Sequence, residues 1–438
     1  MKSDPLCGTG SLLDAAVPTN RQCEQECVGR PGSFRQRLRR WWWHALARQF
    51  TLLALIALGI ARLIGRRRRP ASGDGCEILL TGRFDSANWI LAHLGPLSAS
   101  RGCSSLWMVA TSPVPMLPKV KAIYPPKWLM RATGATRARL LTFLWTAIRK
   151  RPHIVGGFHI MVNGIAAVIV GRLTGAQSMY FCVGGPAEIR DGGIHSAENC
   201  FARMETADPV VESRLLRIVA QSDTVITMGT RAVRFFREKG VDTSFHVVSG
   251  GIDPVRFQPA RGALSHDLIL TGRLVEVKRI DVFLRAVRRV ADKIPHIKAV
   301  IAGDGELRDE LEALSMDLGI DRNVDFIGRH DDVENWLRRA GIFVLTSDSE
   351  GLSLSMMEAM MCGLPAVVSN VGDMGDLVEN GVNGYLVPRR SPESFAARLV
   401  ELLCDPEKLE TFSRAARQSA LQYETQAAIH QWDGILSD

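Results

Sequence analysis

The sequence of 438 residues lacks the marks of disulfide-rich, zinc-binding and disordered proteins. Its nine cysteines include no CxxC pair and no zinc-type spacing, which indicates a reducing, cytosol-facing compartment. Only 23% of the residues are charged and 46% are hydrophobic, a composition that excludes disordered, collagenous and polytopic membrane chains. The length predicts at least two domains of ordinary size.

Acidic residues are absent from two long windows. Residues 27–73 contain eleven arginines, residues 86–187 contain eleven lysines or arginines, and neither window contains Asp or Glu. The formal net charge of +8 is therefore unevenly distributed, and the rest of the chain is net negative. A basic N-terminal half is typical of proteins that meet an anionic surface or a phosphorylated substrate. Nucleic acid is not an expected partner, because the sequence has no RNP, OB-fold or zinc-finger signature.

The N-terminal segment has no apolar run long enough to cross a bilayer alone. Residues 1–34 show no periodicity and are expected to form a mobile tail. In the basic and apolar segment 35–69, the uncharged run 49–61 has thirteen residues, about 20 Å of helix against a hydrocarbon core of about 30 Å. We expect a helix in the cytoplasmic leaflet, with Trp41–Trp43 at the headgroups and arginines on anionic lipid. A single span over residues 41–64 is the alternative.

Beyond residue 76, short apolar runs alternate with helical stretches, the pattern of parallel sheets covered on both faces. The strand candidates are CEILLTG, LWMVATS, HIVGGFHI, SMYFCVGG and DTVITMG, then DLILTG, KAVIAGDG, VDFIG, GIFVLTS and LPAVVS. Prolines in GGIDPVRFQP mark a hinge at 250–265 between them. The pattern predicts an α/β protein of two doubly wound Rossmann-like domains, 76–249 and 266–438, facing across a cleft. The last helix could pack back on the first domain.

The loops that follow the strands of the second domain carry the candidate site, since ligands of such sheets bind at the carboxyl ends of the strands. After the first strand, Gly272, Arg273 and Lys278 lie in TGRLVEVKR, where two cations at a helix start suit a diphosphate. After the next strand, Gly303 and Gly305 lie in AGDGEL. They fit a close backbone approach to a ligand, or only a tight turn.

The third loop is the most specific and reads SDSEGLSLSMMEAMMCGLP. Glu350 and Gly351 lie before a helix that Ser353 or Ser355 could cap. Glu358, eight positions after Glu350, could accept hydrogen bonds from a diol such as a ribose. The Leu354 and Ser355 amides could bind phosphate.

These motifs, together with FIGR and the continuation to NGYLVP, resemble the family-four retaining glycosyltransferases of the GT-B fold, whose hallmark is a pair of glutamates separated by seven residues. The resemblance is strong from about residue 250 to 391 and moderate over 76–249. It implies transfer of a hexosyl unit from a nucleotide-diphosphate sugar with retention of configuration. It also implies a role in polysaccharide, lipopolysaccharide or glycolipid biosynthesis.

The resemblance implies roles for the candidate residues. Arg273 and Lys278 would bind the diphosphate, Glu358 the ribose, and Glu350 the transferred sugar near the reacting carbon. Ile327 and Gly328 would line the base. Two cations and a helix N-terminus can neutralise the departing diphosphate, so we expect no metal and no other cofactor.

The first domain departs from the family pattern. Relatives carry a glycine pair after the first strand, where this chain has only Gly82, and a histidine near the sugar, where this chain has Cys182. His159 could replace that histidine as a catalytic residue, or could be an ordinary core residue. Gly184 and Gly185 could bring backbone close to a sugar or phosphate.

Aromatic and basic residues in the first domain suit a membrane surface. The basic residues are Lys119, Lys121, Lys127, Arg131, Arg137, Arg139, Arg149, Lys150 and Arg151, and the apolar ones are Trp128, Leu129, Phe143 and Trp145. A core helix over 140–148 with basic ends is the alternative. We expect a peripheral or single-pass enzyme at the cytoplasmic face of the membrane, acting on a lipid-linked or glycan acceptor. A nucleotide-sugar epimerase, or a scaffold with a vestigial nucleotide pocket, is the alternative function.

Overall fold

The computed structural model describes residues 34–66, 75–84, 86–196, 200–259, 262 and 264–437. The expected mobile tail, apart from residue 34, and nearly all of the linker before residue 76 lie outside this part of the chain. So do the arginines at 67–69.

Two parallel sheets form the body of the molecule and confirm the predicted fold class. The first contains β1 Cys76–Thr81, β2 Cys103–Val109, β3 Val120–Ile123, β4 Ile154–Phe158, β5 Gln177–Cys182, β6 Thr224–Thr227 and β7 Ser244–Val247. The second contains β8 His266–Thr271, β9 Ala299–Ala302, β10 Val324–Gly328, β11 Ala340–Leu345, β12 Ala366–Ser369 and β13 Gly384–Val387. Three of these strands, β3, β7 and β13, have no counterpart among the strand candidates from the sequence.

Helices connect the strands in both domains. Those of the first part are α1 Phe34–Ile64, α2 Ala87–Ala99, α3 Lys127–Thr133, α4 Ala135–Lys150, α5 Ile165–Thr174, α6 Pro209–Val219 and α7 Thr230–Glu238. Those of the second are α8 Ile280–Ala291, α9 Arg308–Asp317, α10 Val333–Leu337, α11 Leu354–Met361, α12 Pro392–Leu403, α13 Pro406–Ala420 and α14 Thr425–Ser437. The last of these, α14, packs against α2 of the first domain.

The strand orders fix where ligands can enter. The orders are β3-β2-β1-β4-β5-β6-β7 and β10-β9-β8-β11-β12-β13, so the chain reverses direction across each sheet between β1 and β4 and between β8 and β11. The loops that leave these two strand pairs diverge and leave a crevice at the carboxyl edge of the sheet. Each domain therefore has one crevice of this kind.

Helix α1 lies along the first domain, against α5 and α6. A stripe of mostly small residues is buried in this contact: Ala47, Thr51, Ala54, Leu58 and Ala61. Their spacing of three or four positions keeps them on one face of a helix about 46 Å long. Small side chains let the helix approach its neighbours closely, so α1 is part of the folded domain along most of its length.

Polar contacts hold the N-terminal half of α1 in place. Arg39 and Arg40 bind the carboxylate of Glu205, and His44 Nδ1 and Arg48 Nε lie 2.7 Å and 2.9 Å from Asp208 Oδ2. These four side chains therefore face the protein, whereas the sequence led us to expect arginines on lipid.

The outward face of α1 is apolar. Its exposed residues include Trp41, Trp42, Leu46, Leu52, Leu53, Ile56, Ile60, Leu63 and Ile64. By length and composition, Leu38–Ile64 could cross a bilayer. Of its most apolar stretch of 18 residues, 28% is buried inside the protein. We call this exposed surface the outer face of α1.

Candidate functional site

The crevice between β8 and β11 brings together two of the predicted site residues. Lys278 follows β8, Glu350 follows β11, and the Lys278 Nζ lies 2.5 Å from Glu350 Oε1. The Ser347 hydroxyl donates to the same carboxylate oxygen at 2.6 Å. Both members of the ion pair are largely buried, at 17% and 13% side-chain exposure. A cation and an acid thus meet at the edge where a doubly wound sheet binds its ligand.

The start of α11 adds hydrogen-bond donors to this crevice. Ser353 caps the helix, and its hydroxyl accepts from the Met356 amide at 3.4 Å and lies 3.0 Å from the Ser355 hydroxyl. Within the described chain, the Leu354 and Ser355 amides have no hydrogen-bond partner. These donors carry the positive end of the helix dipole, so they suit an anionic ligand.

Glu358 is buried within α11, with 5% exposure. Burial raises the pKa of its carboxyl to about 8, although the nearby Arg256 guanidinium acts in the opposite direction. Its side chain accepts no hydrogen bond from the residues that the structure describes. A carboxyl that is removed from water without partners is costly, and the hydroxyls of a ligand would supply the missing donors.

The glycines of the two neighbouring loops allow those loops to touch each other. A Cβ atom at Gly303 would overlap the Gly272 carbonyl oxygen, and one at Gly305 would overlap the Leu274 carbonyl oxygen. The Gly303 amide donates to the Gly328 carbonyl at 2.8 Å. Of the two interpretations offered by the sequence, tight local packing is thus sufficient to explain both glycines.

The remaining candidates of the second domain line the same edge. Arg273 is exposed in the loop after β8, and Ile327 and Gly328 end β10. Gly328 has a φ of 74°, a conformation that a residue with a side chain adopts only under strain. The strand order places β10 two strands away from β8, so the pair lies to one side of Lys278.

On the first domain, His159 follows β4 and has a left-handed backbone, with a φ of 62°. Its Nδ1 lies 2.9 Å from Glu188 Oε1. The Gly184 amide donates to the same oxygen at 2.6 Å, while the Ile160 amide and Tyr180 hydroxyl donate to Oε2 at 2.8 Å and 2.7 Å. Glu188 therefore joins His159 to the loop of Gly184 and Gly185.

The Glu188 carboxylate is held charged despite being buried. Burial by itself would raise its pKa, but the His159 charge and the hydrogen bonds from His159, Gly184 and Ile160 outweigh it and lower the pKa below its ordinary value. A buried acid with four donors is a rigid anchor. Cys182, at the end of β5, is buried beside this cluster, and its thiol donates to the Gly185 carbonyl at 3.3 Å.

Loops of the two domains meet across the cleft. Gly185 lies near the backbone of Glu350 and Gly351, and a Cβ atom at Gly351 would overlap the Val183 carbonyl oxygen. Gly351 is thus required for a close contact between the domains as well as for the turn before α11. The contact places the glycine loop of the first domain directly beside the predicted sugar-binding acid.

A second contact between the domains involves acids that the sequence did not single out. Asp373 Oδ1 accepts from the Arg231 amide at 2.8 Å, and Asp376 accepts from the Thr230 amide and hydroxyl at 2.6 Å and 2.8 Å. Both acids therefore cap α7 from the opposite domain. Burial raises the pKa of Asp373 to about 6.

The structure also corrects the predicted basic surface. Lys119 is turned inward, and its Nζ donates to the carbonyls of Ser100 and Cys103 at 2.9 Å and 2.7 Å. Arg139 is buried, with 4% exposure. Phe143 is fully buried in the core of the first domain together with Ala147, so the inner side of α4 belongs to the core, as the alternative of a core helix with basic ends predicted. The opposite side of α4 and most of α3 are exposed and include Trp145 and Trp128.

Glu188 is a further candidate site residue that the sequence did not indicate. A signal was present, because Glu188 is the first acid after a window of 102 residues without Asp or Glu. Such an isolated acid in a basic domain calls for a specific cationic partner, which His159 provides.

This chain has two doubly wound domains that face across a cleft, with a cation, an acid and a helix N-terminus in the second domain's crevice. This is the architecture of the GT-B class of proteins. Residues 255–419 match the family described as Glycosyl transferases group 1. This match covers most of the hinge and the second domain as far as α13, and it supports assignment to that family.

Curated relatives agree with this assignment. An uncharacterized glycosyltransferase of Haemophilus influenzae is 33% identical over 170 residues, 39% of this chain and 48% of the relative. The UDP-Gal:alpha-D-GlcNAc-diphosphoundecaprenol alpha-1,3-galactosyltransferase of Escherichia coli is 26% identical over 302 residues, 65% of this chain and 76% of the relative. The match to the Haemophilus protein thus spans about half of that relative's length.

Solved structures share the fold of both domains. Anabaena HepE in complex with UDP and glucose has a TM-score of 0.65 at 16% identity and covers 83% of this chain and 99% of its own. Sucrose-phosphate synthase from Thermosynechococcus elongatus has a TM-score of 0.68 at 17% identity and covers 82% and 98%. These similarities establish the two-domain GT-B fold.

Proposed function

We propose that this protein is a retaining glycosyltransferase that moves a hexosyl unit from a nucleotide-diphosphate sugar to a lipid-linked or glycan acceptor. The observation that carries the proposal is the pairing of Lys278 with Glu350 beside the open amides of α11. The family match and the names of the relatives support a transferase, and they do not favour an epimerase or a scaffold.

The donor would bind along the crevice of the second domain. Lys278, Arg273 and the amides of Leu354 and Ser355 would receive the diphosphate, and Glu358 would receive the ribose hydroxyls at the inner end. The charge that develops on the diphosphate when the bond to the sugar breaks would be neutralised by these groups, so the proposal needs no metal. Ile327 and Gly328 would border the base.

Glu350 would orient the sugar next to the bond that breaks. It lies at the contact with Gly185, so an acceptor bound on the first domain would reach the same point. His159, held by Glu188, lies at the carboxyl edge of the first sheet and would contact the sugar from that side. Retention of configuration is inferred from the Glu350 and Glu358 motif and is tested by NMR of the anomeric proton in the first product formed.

Membrane attachment is part of the proposal. Helix α1 is docked along the first domain and presents its outer face to the surroundings, which supports an orientation parallel to a membrane surface. The exposed Trp128 and Trp145 of α3 and α4 would extend this apolar area on the same domain. The enzyme would thus work as a peripheral protein at the cytoplasmic face.

A thermal-shift screen with UDP, GDP and ADP tests the donor site. A nucleotide at a hundred times its dissociation constant stabilises the folded protein by about 2.7 kcal/mol. We expect one of the three to raise the melting temperature of the wild type, and the shift should be clearly smaller for Lys278→Ala. Equal shifts in both proteins would show that the diphosphate binds elsewhere.

A further inference from the structure

Helix α7 of the first domain has no capping side chain of its own. Its N-cap residue is Gly229, so no side chain at that position accepts from the first amides of the helix. Asp376 accepts from the Thr230 amide and hydroxyl at 2.6 Å and 2.8 Å, and Asp373 Oδ1 accepts from the Arg231 amide at 2.8 Å. Both acids belong to the second domain. The start of α7 is therefore capped only while the two domains are in contact.

A close steric fit accompanies these caps. A Cβ atom at Gly229 would overlap Cβ and Cγ of Asp373. Gly229 has a φ of −155°, an extended backbone that any residue adopts, so the missing side chain at this position matters for the approach of Asp373. Arg231 Nη2 also donates to Asn370 Oδ1 at 3.2 Å. The second-domain residues of this contact lie in the segment 370–376 after β12, which we call the capping loop.

The capping loop also touches the turn that carries the predicted sugar-binding acid. The Asp373 amide donates to the Gly351 carbonyl at 3.1 Å, and a Cβ atom at Gly372 would overlap the Glu350 carbonyl oxygen. On the side of the first domain, a Cβ atom at Gly185 would lie 3.5 Å from Asp373 Oδ2 and 3.7 Å from the Glu350 carbonyl oxygen. Asp373 thus lies between the turn of Glu350 and the glycine loop of the first domain.

The contact also contains a cost that opening would remove. Asp373 is fully buried, and its Oδ2 has no hydrogen-bond partner among the residues described by the structure. Water would supply the missing donors if the domains separated, so the desolvation of this oxygen offsets part of the stabilisation from the caps. The capping loop can therefore align the two domains without locking them together.

We propose that Asp373 and Asp376 are positioning residues for glycosyl transfer. By capping α7 across the cleft, they hold the turn of Glu350 in place against the glycine loop of the first domain. This inference rests on the proposed function, in which Glu350 orients the sugar and the first domain contacts it from the other side. Neither acid needs to touch a substrate, because both act through the placement of Glu350.

Hydrogen exchange of the full-length protein, measured without substrate, tests whether the caps are made in solution. We expect the amides at the start of α7 to exchange faster in Asp373→Ala, which lacks the acceptor, and in Gly229→Ala, which holds the domains apart. Asp373→Asn keeps an acceptor oxygen and should exchange like the wild type. Asp405 accepts from the Lys408 amide at 3.0 Å and caps α13 within the second domain, so Asp405→Ala is the matched control and should leave α7 unchanged.

Cleavage of the donor sugar tests whether the caps support catalysis. Release of the nucleoside diphosphate from UDP-glucose, GDP-mannose and ADP-glucose is followed, with water in place of the acceptor. In Asp373→Ala and Gly229→Ala, kcat should fall by about ten- to a hundredfold, because misplacement of groups at a site by about 1 Å has effects of this size. The KM for the donor should stay at its wild-type value, since the proposed nucleotide contacts lie in the second domain. Asp373→Asn and Asp405→Ala should keep a kcat close to that of the wild type.

Two further variants make the outcome decisive. The double variant of Gly229→Ala and Asp373→Ala should be no slower than the slower single variant, because both changes open the same contact. Asp376→Ala removes the other cap and provides the same test if Asp373→Ala does not fold. Faster exchange at α7 with a wild-type kcat would overturn the proposal, and so would exchange that none of these variants changes. Failure of the proposed function would instead appear in the wild type, which would gain no thermal stability from UDP, GDP or ADP.

Discussion

Lys278 and Glu350 form an ion pair across the crevice of the second domain, with Nζ 2.5 Å from Oε1. The pair links the loop after β8 to the loop after β11, and Ser347 holds the same carboxylate oxygen. A diphosphate that binds Lys278 would compete with Glu350 for the ammonium. The carboxylate would then turn to the hydroxyls of the transferred sugar, so donor binding and the placement of Glu350 are coupled.

Replacement of Lys278 by alanine should weaken use of the donor by about ten- to a hundredfold, because one charge-assisted contact of roughly 1.5 to 3 kcal/mol is lost. Steady-state kinetics with varied donor concentration measures the effect as kcat/KM. Lys239→Ala removes a lysine that pairs with Glu212 on the first domain and serves as the control. Equal kcat/KM values for the two variants would contradict the diphosphate assignment.

Glu350→Gln should depress transfer and leave nucleotide affinity nearly unchanged, because the amide keeps the shape but loses the charge near the reacting carbon. The comparison requires single-turnover rates together with titration of the free nucleotide. Glu393→Gln, an exposed acid paired with Arg289, should match the wild type in both. Transfer at the wild-type rate by Glu350→Gln would remove Glu350 from the catalytic mechanism.

Glu358 should make the stability of the protein depend on pH. Its folded-state pKa of about 8 lies above the value in an unfolded chain, so the folded state holds the proton more tightly. Stability should therefore fall as pH rises from about 4.5 to about 8, by about 1.4 kcal/mol per pH unit in that window. Urea unfolding at pH 5, 6.5 and 8 should show this slope in the wild type and a flatter one in Glu358→Gln. Equal dependence of stability on pH in the two proteins would show that the Glu358 carboxyl lies in a more polar environment than its burial indicates.

The central strands of both sheets and the edge strand β10 were predicted from the sequence, whereas the other three edge strands, β3, β7 and β13, were missed. β3 and β7 lie at the two edges of the first sheet, and their residues are half-buried or exposed. A four-residue strand such as VKAI has no apolar run that separates it from a loop. Its pairing depends on the neighbouring strand β2, which a local pattern does not record.

The candidate site also has one part that could be predicted from the sequence and another part that could not. Lys278 and Glu350 belong to loops after strands whose order could be guessed, so their proximity follows from the fold class. The inward turn of Arg139 and the joining of His159 to Gly184 through Glu188 depend on how separate elements pack. Such contacts between distant residues leave no periodic signal in the sequence.

Glu188→Gln should release His159 and the Gly184 loop together. Loss of a buried, fully hydrogen-bonded charge destabilises a protein by about 3 to 5 kcal/mol. Transfer should fall, while nucleotide affinity on the second domain should stay within about twofold, since the hydrogen bonds of Glu188 are made with His159, Ile160, Tyr180 and Gly184 of the first domain. Glu212→Gln, whose carboxylate accepts from the Asp191 amide, is a control within the same domain. An unchanged kcat in folded Glu188→Gln would show that the anchor does not serve catalysis.

The outer face of α1 should hold the protein on anionic vesicles. Leu53 and Ile56 are exposed on that face at 56% and 49%, and burial of such side chains contributes roughly 1.5 to 3 kcal/mol each. The double substitution Leu53→Glu and Ile56→Glu should therefore lower the partition coefficient by a hundredfold or more in co-sedimentation with vesicles rich in phosphatidylglycerol. The double substitution leaves the buried stripe of α1 intact, so the thermal stability in solution should change little.

Met316→Glu changes an exposed apolar residue of the second domain and is the matched control. If the double variant sediments like the wild type, α1 is not the surface that meets the membrane, and the aromatic residues of α3 and α4 become the region to substitute next.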